Sequence, residues 1–175
     1  MLFNSFEFLL FFITVAFTYF VLKDKWRWAL LLGASYFFYG SWNISYLILI
    51  LLSTVTTFYS GVLIEKIPSQ KKNITFSSLA INLGILFFFK YYNFFVDSWV
   101  DMVSLFGYQM KSTWTLGVIL PVGISFYTFQ TMSYSFDVYY KKLKPTTDFL
   151  SFAAFVSFFP QLVAGPIERA SNLLT

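Results

Sequence analysis

Residues 28–64 form a stretch of 37 residues without a charged side chain. As one straight helix this stretch would measure about 55 Å, whereas the hydrocarbon core of a bilayer is about 30 Å thick. The chain must therefore turn back, and the only strong turn signal inside the stretch is Gly-Ser-Trp-Asn at positions 40–43. We predict a short apolar segment that ends at Tyr39 and a full membrane span over residues 44–64.

The composition and the distribution of charge favour a membrane protein. Hydrophobic residues make up 58% of the 175 residues and charged residues only 11%, against about 25% charged residues in soluble domains. The net charge of +4 is spread over the short gaps between apolar runs, so no basic face is available for nucleic acid. Cys and His are absent from the sequence, which excludes disulfides and removes the commonest general base and metal ligand.

The apolar runs predict an all-α, polytopic transmembrane protein with about six membrane segments, one of them short or re-entrant. Residues 91–111 are predicted to form a separate amphipathic helix at the outer interface. Asp97 and Asp101 lie on its polar face, where we favour a hydrated surface over a catalytic carboxylate pair. The predicted membrane segments are residues 1–22, 28–39, 44–64, 74–89, 112–136 and 149–167.

The basic residues predict how these segments are oriented in the bilayer. If the N-terminus lies outside, nine Lys and Arg side chains fall in inner loops and two fall in outer segments, with Arg169 left unassigned. Because inner loops of membrane proteins are enriched in Lys and Arg, this bias predicts an outside N-terminus. The outer pair is Lys90 and Lys111, and the inner set is Lys23, Lys25, Arg27, Lys66, Lys71, Lys72, Lys141, Lys142 and Lys144.

Four hydroxyl side chains in the predicted span 112–136 fall near one helical face, namely Ser125, Thr128, Thr131 and Ser135. Such residues can line a polar tunnel, but more often they let neighbouring helices approach closely and hydrogen-bond to one another. We therefore favour a packing role for this face and keep tunnel lining as the alternative.

The last predicted segment is interrupted about 17 Å after its start at Phe149. Pro160 and the pair at positions 165–166 free backbone groups near mid-membrane, and Gln161 beside them is able to donate and accept hydrogen bonds. The sequence leaves two interpretations open. One is a kinked span whose far interface is marked by residues 168–169, and the other is a broken helix beside a substrate path.

Two blocks of this region carry a family resemblance. They are LPVGISFYTFQTMSYSFD at residues 120–137 and FFPQLVAGPIER at residues 158–169, and the likeness extends upstream to residues 35–42 and 89–95. The chain resembles the membrane-bound O-acyltransferase family, in its bacterial alginate O-acetylation branch. By this resemblance, residues 1–175 form the N-terminal part of a single integral-membrane acyltransferase domain, with no soluble domain.

The resemblance implies O-acetylation of an envelope or exported polysaccharide at the inner (cytoplasmic) membrane. The acyl donor would be a cytoplasmic thioester such as acetyl-CoA, and the acceptor a polysaccharide hydroxyl. The expected partners are the lipid bilayer and an extracytoplasmic partner transferase, whereas nucleic acid, a metal and a bound cofactor are not expected. Two other classes stay open: a short non-catalytic membrane binding or assembly subunit, and a small transporter, which the lack of deep charge and of repeats disfavours.

The resemblance also bears on individual residues. The family's signature His lies in the later half of its members and is suited to deprotonate a hydroxyl, but this chain has no His. No catalytic residue is therefore assigned, and the chain alone is predicted to be inactive. The resemblance implies instead that ten residues line the interior or tunnel: Pro121, Gly123, Tyr127, Asp137, Pro160, Gln161, Gly165, Pro166, Glu168 and Arg169.

The predicted orientation can be tested with a cysteine placed in the loop 66–72. The native chain has no Cys, so any thiol labelling would report this position alone. We expect the introduced cysteine to resist membrane-impermeant thiol reagents added outside intact cells. Labelling from outside would overturn the predicted orientation.

Overall fold

The structure, a computed structural model, describes residues 4–105, 123–165 and 170, without the side chains of residues 163 and 164. Across these residues the chain is helical and contains no strand, which confirms the predicted all-α class. The helices are α1 (Phe6–Val21), α2 (Asp24–Gly40), α3 (Ser45–Lys66), α4 (Lys71–Leu105), α5 (Ile124–Tyr139), α6 (Phe149–Ser157) and α7 (Phe159–Ala164).

Two helical stretches are long and apolar enough to cross a membrane. They are Ser45–Lys66, which is α3, and Pro68–Leu105, in which a 3₁₀ turn at Pro68–Gln70 leads into α4. The helix Phe6–Val21 and the stretch Phe149–Leu162 are apolar but shorter. By length and composition, the described residues therefore contain two candidate membrane spans.

The predicted turn inside the uncharged stretch 28–64 is confirmed. Helix α2 ends at Gly40 and helix α3 begins at Ser45. The Asn43 side chain accepts a hydrogen bond from the Ser45 amide at 2.9 Å, and the Ser41 hydroxyl donates to the Phe38 carbonyl at 2.6 Å. These local side-chain bonds compete with helical ones and stabilise the reversal.

The prediction of a separate helix over residues 91–111 is wrong, because α4 continues without a break from Lys71 to Leu105. No glycine or proline lies between positions 84 and 105 to end the helix. Lys90 does not interrupt it either, since its ammonium group extends to the side and donates to the Ser125 hydroxyl at 3.1 Å. The 35 residues of α4 span about 52 Å, and its buried side chains all lie before Phe87.

Helix α3 lies at the centre of the bundle and packs against α2, α4, α5 and α6. Its buried positions carry mostly small residues, including Ser53, Thr57 and Gly61. Small side chains allow helix backbones to approach closely, which is the usual basis of helix association in membranes. Helix α1 packs on the outside of α2 and has no buried residue over Phe6–Val21.

Two of the predicted inner loops lie together at one end of the bundle. Residues 64–71 and 138–145 line a common pocket of about 360 Å³. The Lys71 ammonium group lies 4.6 Å from the centre of the Tyr139 ring. The predicted orientation requires these Lys-rich loops to face the same side of a bilayer.

The close approach at Gly61 can be tested against a second glycine. A Cβ atom at Gly61 would lie 2.9 Å from the hydroxyl of the fully buried Tyr134, whereas a Cβ at Gly84 would have no neighbour within 4 Å. We expect Gly61→Ala to lower the free energy of unfolding by about 1–2 kcal/mol through overpacking. Gly84→Ala should be neutral or stabilising by up to about 1 kcal/mol, because alanine favours the helix.

Denaturant unfolding of both variants in detergent micelles would measure these changes. Equal effects of the two substitutions would contradict the observed packing of α3 on α5.

Candidate functional site: a buried polar interior around a broken helix

A seam of polar side chains is buried between α3, α4 and α5, with Asn82 at its centre. The Asn82 amide nitrogen donates to the Thr57 hydroxyl at 3.2 Å and to the Ser78 carbonyl at 2.9 Å. Its amide oxygen accepts from the Thr131 hydroxyl at 3.3 Å. One amide thus links three helices through bonds that are strengthened by an apolar surrounding.

The hydroxyl face predicted on α5 contributes to this seam. Thr128, Thr131 and Ser135 are buried, and Ser125 is half-buried. The single hydroxyl proton of Thr131 is shared between the Thr128 carbonyl, at 2.9 Å, and the Asn82 amide oxygen, at 3.3 Å. The favoured interpretation of this face, close packing with hydrogen bonds between helices, agrees with these contacts.

The last apolar segment is a broken helix, and the break lies earlier than predicted. Helix α6 ends at Ser157, Phe158 adopts a non-helical conformation, and α7 begins at Phe159. The expectation that the helix would continue to Phe159 is wrong, because a proline at position 160 would clash with the carbonyl of residue 156 in a continuous helix. Pro160 lies instead in the first turn of α7, where proline is well tolerated.

Side chains from two other helices satisfy backbone groups on both sides of the break. The Gln130 amide nitrogen of α5 donates to the Phe155 carbonyl at 3.0 Å, and the Ser35 hydroxyl of α2 accepts from the Phe159 amide at 3.2 Å. All four of these residues are buried. Non-helical backbone is tolerated at membrane depth where the surrounding protein supplies such partners.

Two of the predicted interior residues, Gln161 and Tyr127, are buried. Gln161 lies next to the break, and Tyr127 lies within α5. The Gln161 amide oxygen accepts from the Gln130 amide nitrogen at 3.5 Å, so the two glutamines meet behind the broken helix. Tyr127 is fully buried, and its hydroxyl has no hydrogen-bond partner among the described residues. Tyr36, Ser53 and Ser78 also have buried side-chain oxygens without a partner among the described residues, and Tyr127 is the one of these four that belongs to the predicted interior set. An unpaired buried hydroxyl costs about 1–3 kcal/mol.

Of the other predicted interior residues, Gly123 and Gly165 lie beside α7, whereas Asp137 lies away from it. Gly123 precedes α5 with φ at +76°, and a Cβ atom there would lie 3.1 Å from the Leu162 carbonyl oxygen of α7. Gly165 is half-buried and follows α7. Asp137 lies near the opposite end of α5, where its backbone carbonyl accepts from two amides of the following loop. The predicted residues Pro121, Pro166, Glu168 and Arg169 lie outside the described residues.

Sequence reasoning missed Asn82, Gln130 and Ser35, which hold the polar interior together. A signal was present in the first two cases, because a buried amide inside an uncharged apolar run demands a hydrogen-bond partner. Ser35 begins the stretch 35–42 that carries part of the family resemblance, but that resemblance assigned it no role. Among the described residues, no group of His, Cys, Asp and Glu side chains is arranged to hold a metal ion.

The fold and the interior define a class of protein: an apolar helical bundle with candidate membrane spans and a broken helix whose free backbone groups are hydrogen-bonded inside the bundle. The chain is similar in sequence to proteins that are named as O-acetylases or O-acetyltransferases. Proteins named "Probable alginate O-acetylase AlgI" from Pseudomonas aeruginosa and Azotobacter vinelandii are each 36% identical to it over 99% of this chain, and 34% and 35% of their own lengths are covered. A protein named "Peptidoglycan O-acetyltransferase" from Helicobacter pylori is 34% identical over 99% of this chain and 38% of its own length.

These relatives confirm the resemblance to the bacterial O-acetylation branch of the membrane-bound O-acyltransferase family. The chain spans about a third of the length of the relatives that it matches. No family model matches the chain, and no solved structure matches it.

The support of the broken helix can be tested by Ser35→Ala. This substitution leaves the buried Phe159 amide without its acceptor, and we expect the free energy of unfolding to fall by about 1–2 kcal/mol. Ser77→Ala, at an exposed position of α4, is the matched control and should change it by less than about 0.5 kcal/mol. If unfolding in detergent micelles gave the same value for both variants, Ser35 would have no role at the break.

Proposed function

We propose that this chain is a membrane-embedded part of an O-acetyltransferase that modifies an envelope or exported polysaccharide. The observation that carries the proposal is the similarity of the whole chain to alginate O-acetylases and to a peptidoglycan O-acetyltransferase. The two kinds of relative differ in the named acceptor and share O-acetyl transfer to a polysaccharide of the cell envelope or its surface. The proposal is therefore limited to that shared chemistry.

The membrane setting is supported by the surface of the bundle. Large apolar side chains are exposed along α1 and α4, among them Phe17, Phe20 and Phe76, each more than 70% exposed. A surface of this kind requires an apolar surrounding. We propose about six membrane segments in the inner (cytoplasmic) membrane with the N-terminus outside, an orientation supported by the Lys-rich loops that meet at one end of the bundle.

The reaction transfers an acetyl group from a thioester to a hydroxyl. The acceptor oxygen forms the new ester bond, the bond from the acyl carbon to the thioester sulfur breaks, and the proton of the hydroxyl passes to a base. A cytoplasmic donor such as acetyl-CoA and an extracytoplasmic partner transferase fit the two sides of the membrane that the reaction connects. This sequence has no His, so we assign it no base.

We assign the described residues a structural and lining role. Gln130 and Ser35 hold the two ends of the broken helix, which places Gln161 inside the bundle. Tyr127 is our lining candidate, because it belongs to the interior set implied by the family resemblance and its buried hydroxyl has no partner among the described residues. An acyl group or a water molecule in the interior would provide the hydrogen bond that this hydroxyl lacks.

The first test measures acetyl transfer by the chain alone. The purified 175-residue chain in liposomes should transfer no radiolabelled acetyl group from acetyl-CoA to alginate above protein-free liposomes, since it lacks a general base of the expected kind. Robust transfer would contradict this expectation and would require a base other than His.

The second test places the chain in a longer relative. We expect a chimera in which residues 1–175 replace the matching segment of the Pseudomonas aeruginosa relative to retain alginate O-acetylation in cells. Tyr127→Phe within the chimera removes one hydroxyl without changing the ring and should lower acetylation several-fold, whereas Ser77→Ala should leave it unchanged. A chimera that inserts at normal abundance but does not acetylate would contradict the proposed function.

A further inference from the structure

An apolar groove of about 330 Å³ lies between α1, α2 and the junction of α6 and α7. Its walls include Phe12, Ala16 and Phe20 of α1, Leu31 of α2, and Phe158 and Pro160 at the break. The volume is at the lower end of the range of about 300–1,000 Å³ that is typical of small-molecule sites. Helix α1 has no buried residue over its length, and it contacts the bundle beside this groove through Phe8 and Phe11, whose rings pack on Phe38 and Phe159.

One end of this groove lies beside the N-terminus of α2. Tyr19 and Trp28 line the groove and flank the connection between α1 and α2. The α2 N-cap residue, Lys23, makes no side-chain capping bond, so the first-turn amides of α2 have no side-chain acceptor at that position. Helix N-termini with such amides bind phosphate groups well.

The charge of this connection favours an anion. Residues 23–27 contain three cationic side chains and one carboxylate, a balance of +2. Arg27 is engaged within the protein, because it bonds to Asp24 at 2.6 Å and to the Tyr19 carbonyl at 3.2 Å. Lys23 and Lys25 are exposed, and the Lys25 ammonium group lies 5.8 Å from the centre of the Trp26 ring, so these two side chains are the cations that a phosphate beside α2 would meet.

We propose that this groove binds an anionic phospholipid. The phosphate lies at the N-terminus of α2 between Lys23 and Lys25, and one acyl chain fills the groove up to Pro160. The acyl chain thereby supplies apolar contacts between α1 and the broken helix. This inference rests on the membrane setting of the proposed function and is independent of acyl transfer.

Native mass spectrometry of the full chain in detergent tests the site, with phosphatidylglycerol and phosphatidylcholine offered in equal amounts. We expect a preference of about fivefold or more for phosphatidylglycerol, since one Lys at a membrane surface contributes about that factor. The double variant Lys23→Gln/Lys25→Gln should lose the preference. The charge-matched control Lys66→Gln/Lys72→Gln should keep it.

Two further measurements are needed. One distinguishes a bound lipid from a bound free anion, and the other distinguishes binding in the groove from binding to a charged surface. Ala16→Leu, which fills the groove, should reduce the retention of both lipids, and inorganic phosphate should not displace phosphatidylglycerol. Equal retention of the two lipids by the native chain, or an equal loss of preference in both double variants, would overturn the proposal. Displacement of phosphatidylglycerol by inorganic phosphate would identify a free-anion site and would also overturn the proposal. If every variant still inserts into membranes, either of these failures would leave the proposed function intact.

Discussion

A helix that stops inside an apolar bundle leaves amide and carbonyl groups that must find partners within the protein. In this chain the break at Phe158 is stabilised by Ser35 from α2 and Gln130 from α5. These two bonds fix the position of the broken helix relative to α2 and α5. The placement of Gln161 and the shape of the apolar groove beside α1 both depend on that position.

The polar seam on α3, α4 and α5 supplies the rigid frame for this arrangement. Asn82 links Thr57, Ser78 and Thr131 within one network, and polar bonds in an apolar surrounding hold helices in a defined register. Small residues on α3 bring α5 close enough for the network to form. This frame holds the interior of the bundle in place.

Sequence reasoning predicted the features that hydrophobic length and turn chemistry determine. The reversal at positions 40–43 followed from an uncharged stretch too long for one span, and the structure confirms it. The continuity of α4 was not predicted, because Lys90 and the later aspartates suggested an end where only the exposure of the helix changes. The position of the break and the role of Ser35 depend on contacts between distant segments, which periodicity does not report.

Helix α7 lies against the start of α5, where Leu162 contacts Gly123. An engineered disulfide between these two positions tests this contact most directly. An ideal Cβ at Gly123 lies 3.5 Å from the Leu162 Cβ, within the range of about 3.5–4.5 Å found in disulfides. In oxidised membranes the pair Gly123→Cys/Leu162→Cys should form an intramolecular disulfide. The pair Gly84→Cys/Leu162→Cys should not, since no atom approaches a Cβ at Gly84 within 4 Å. Cross-linking of neither pair, or of both equally, would contradict the account.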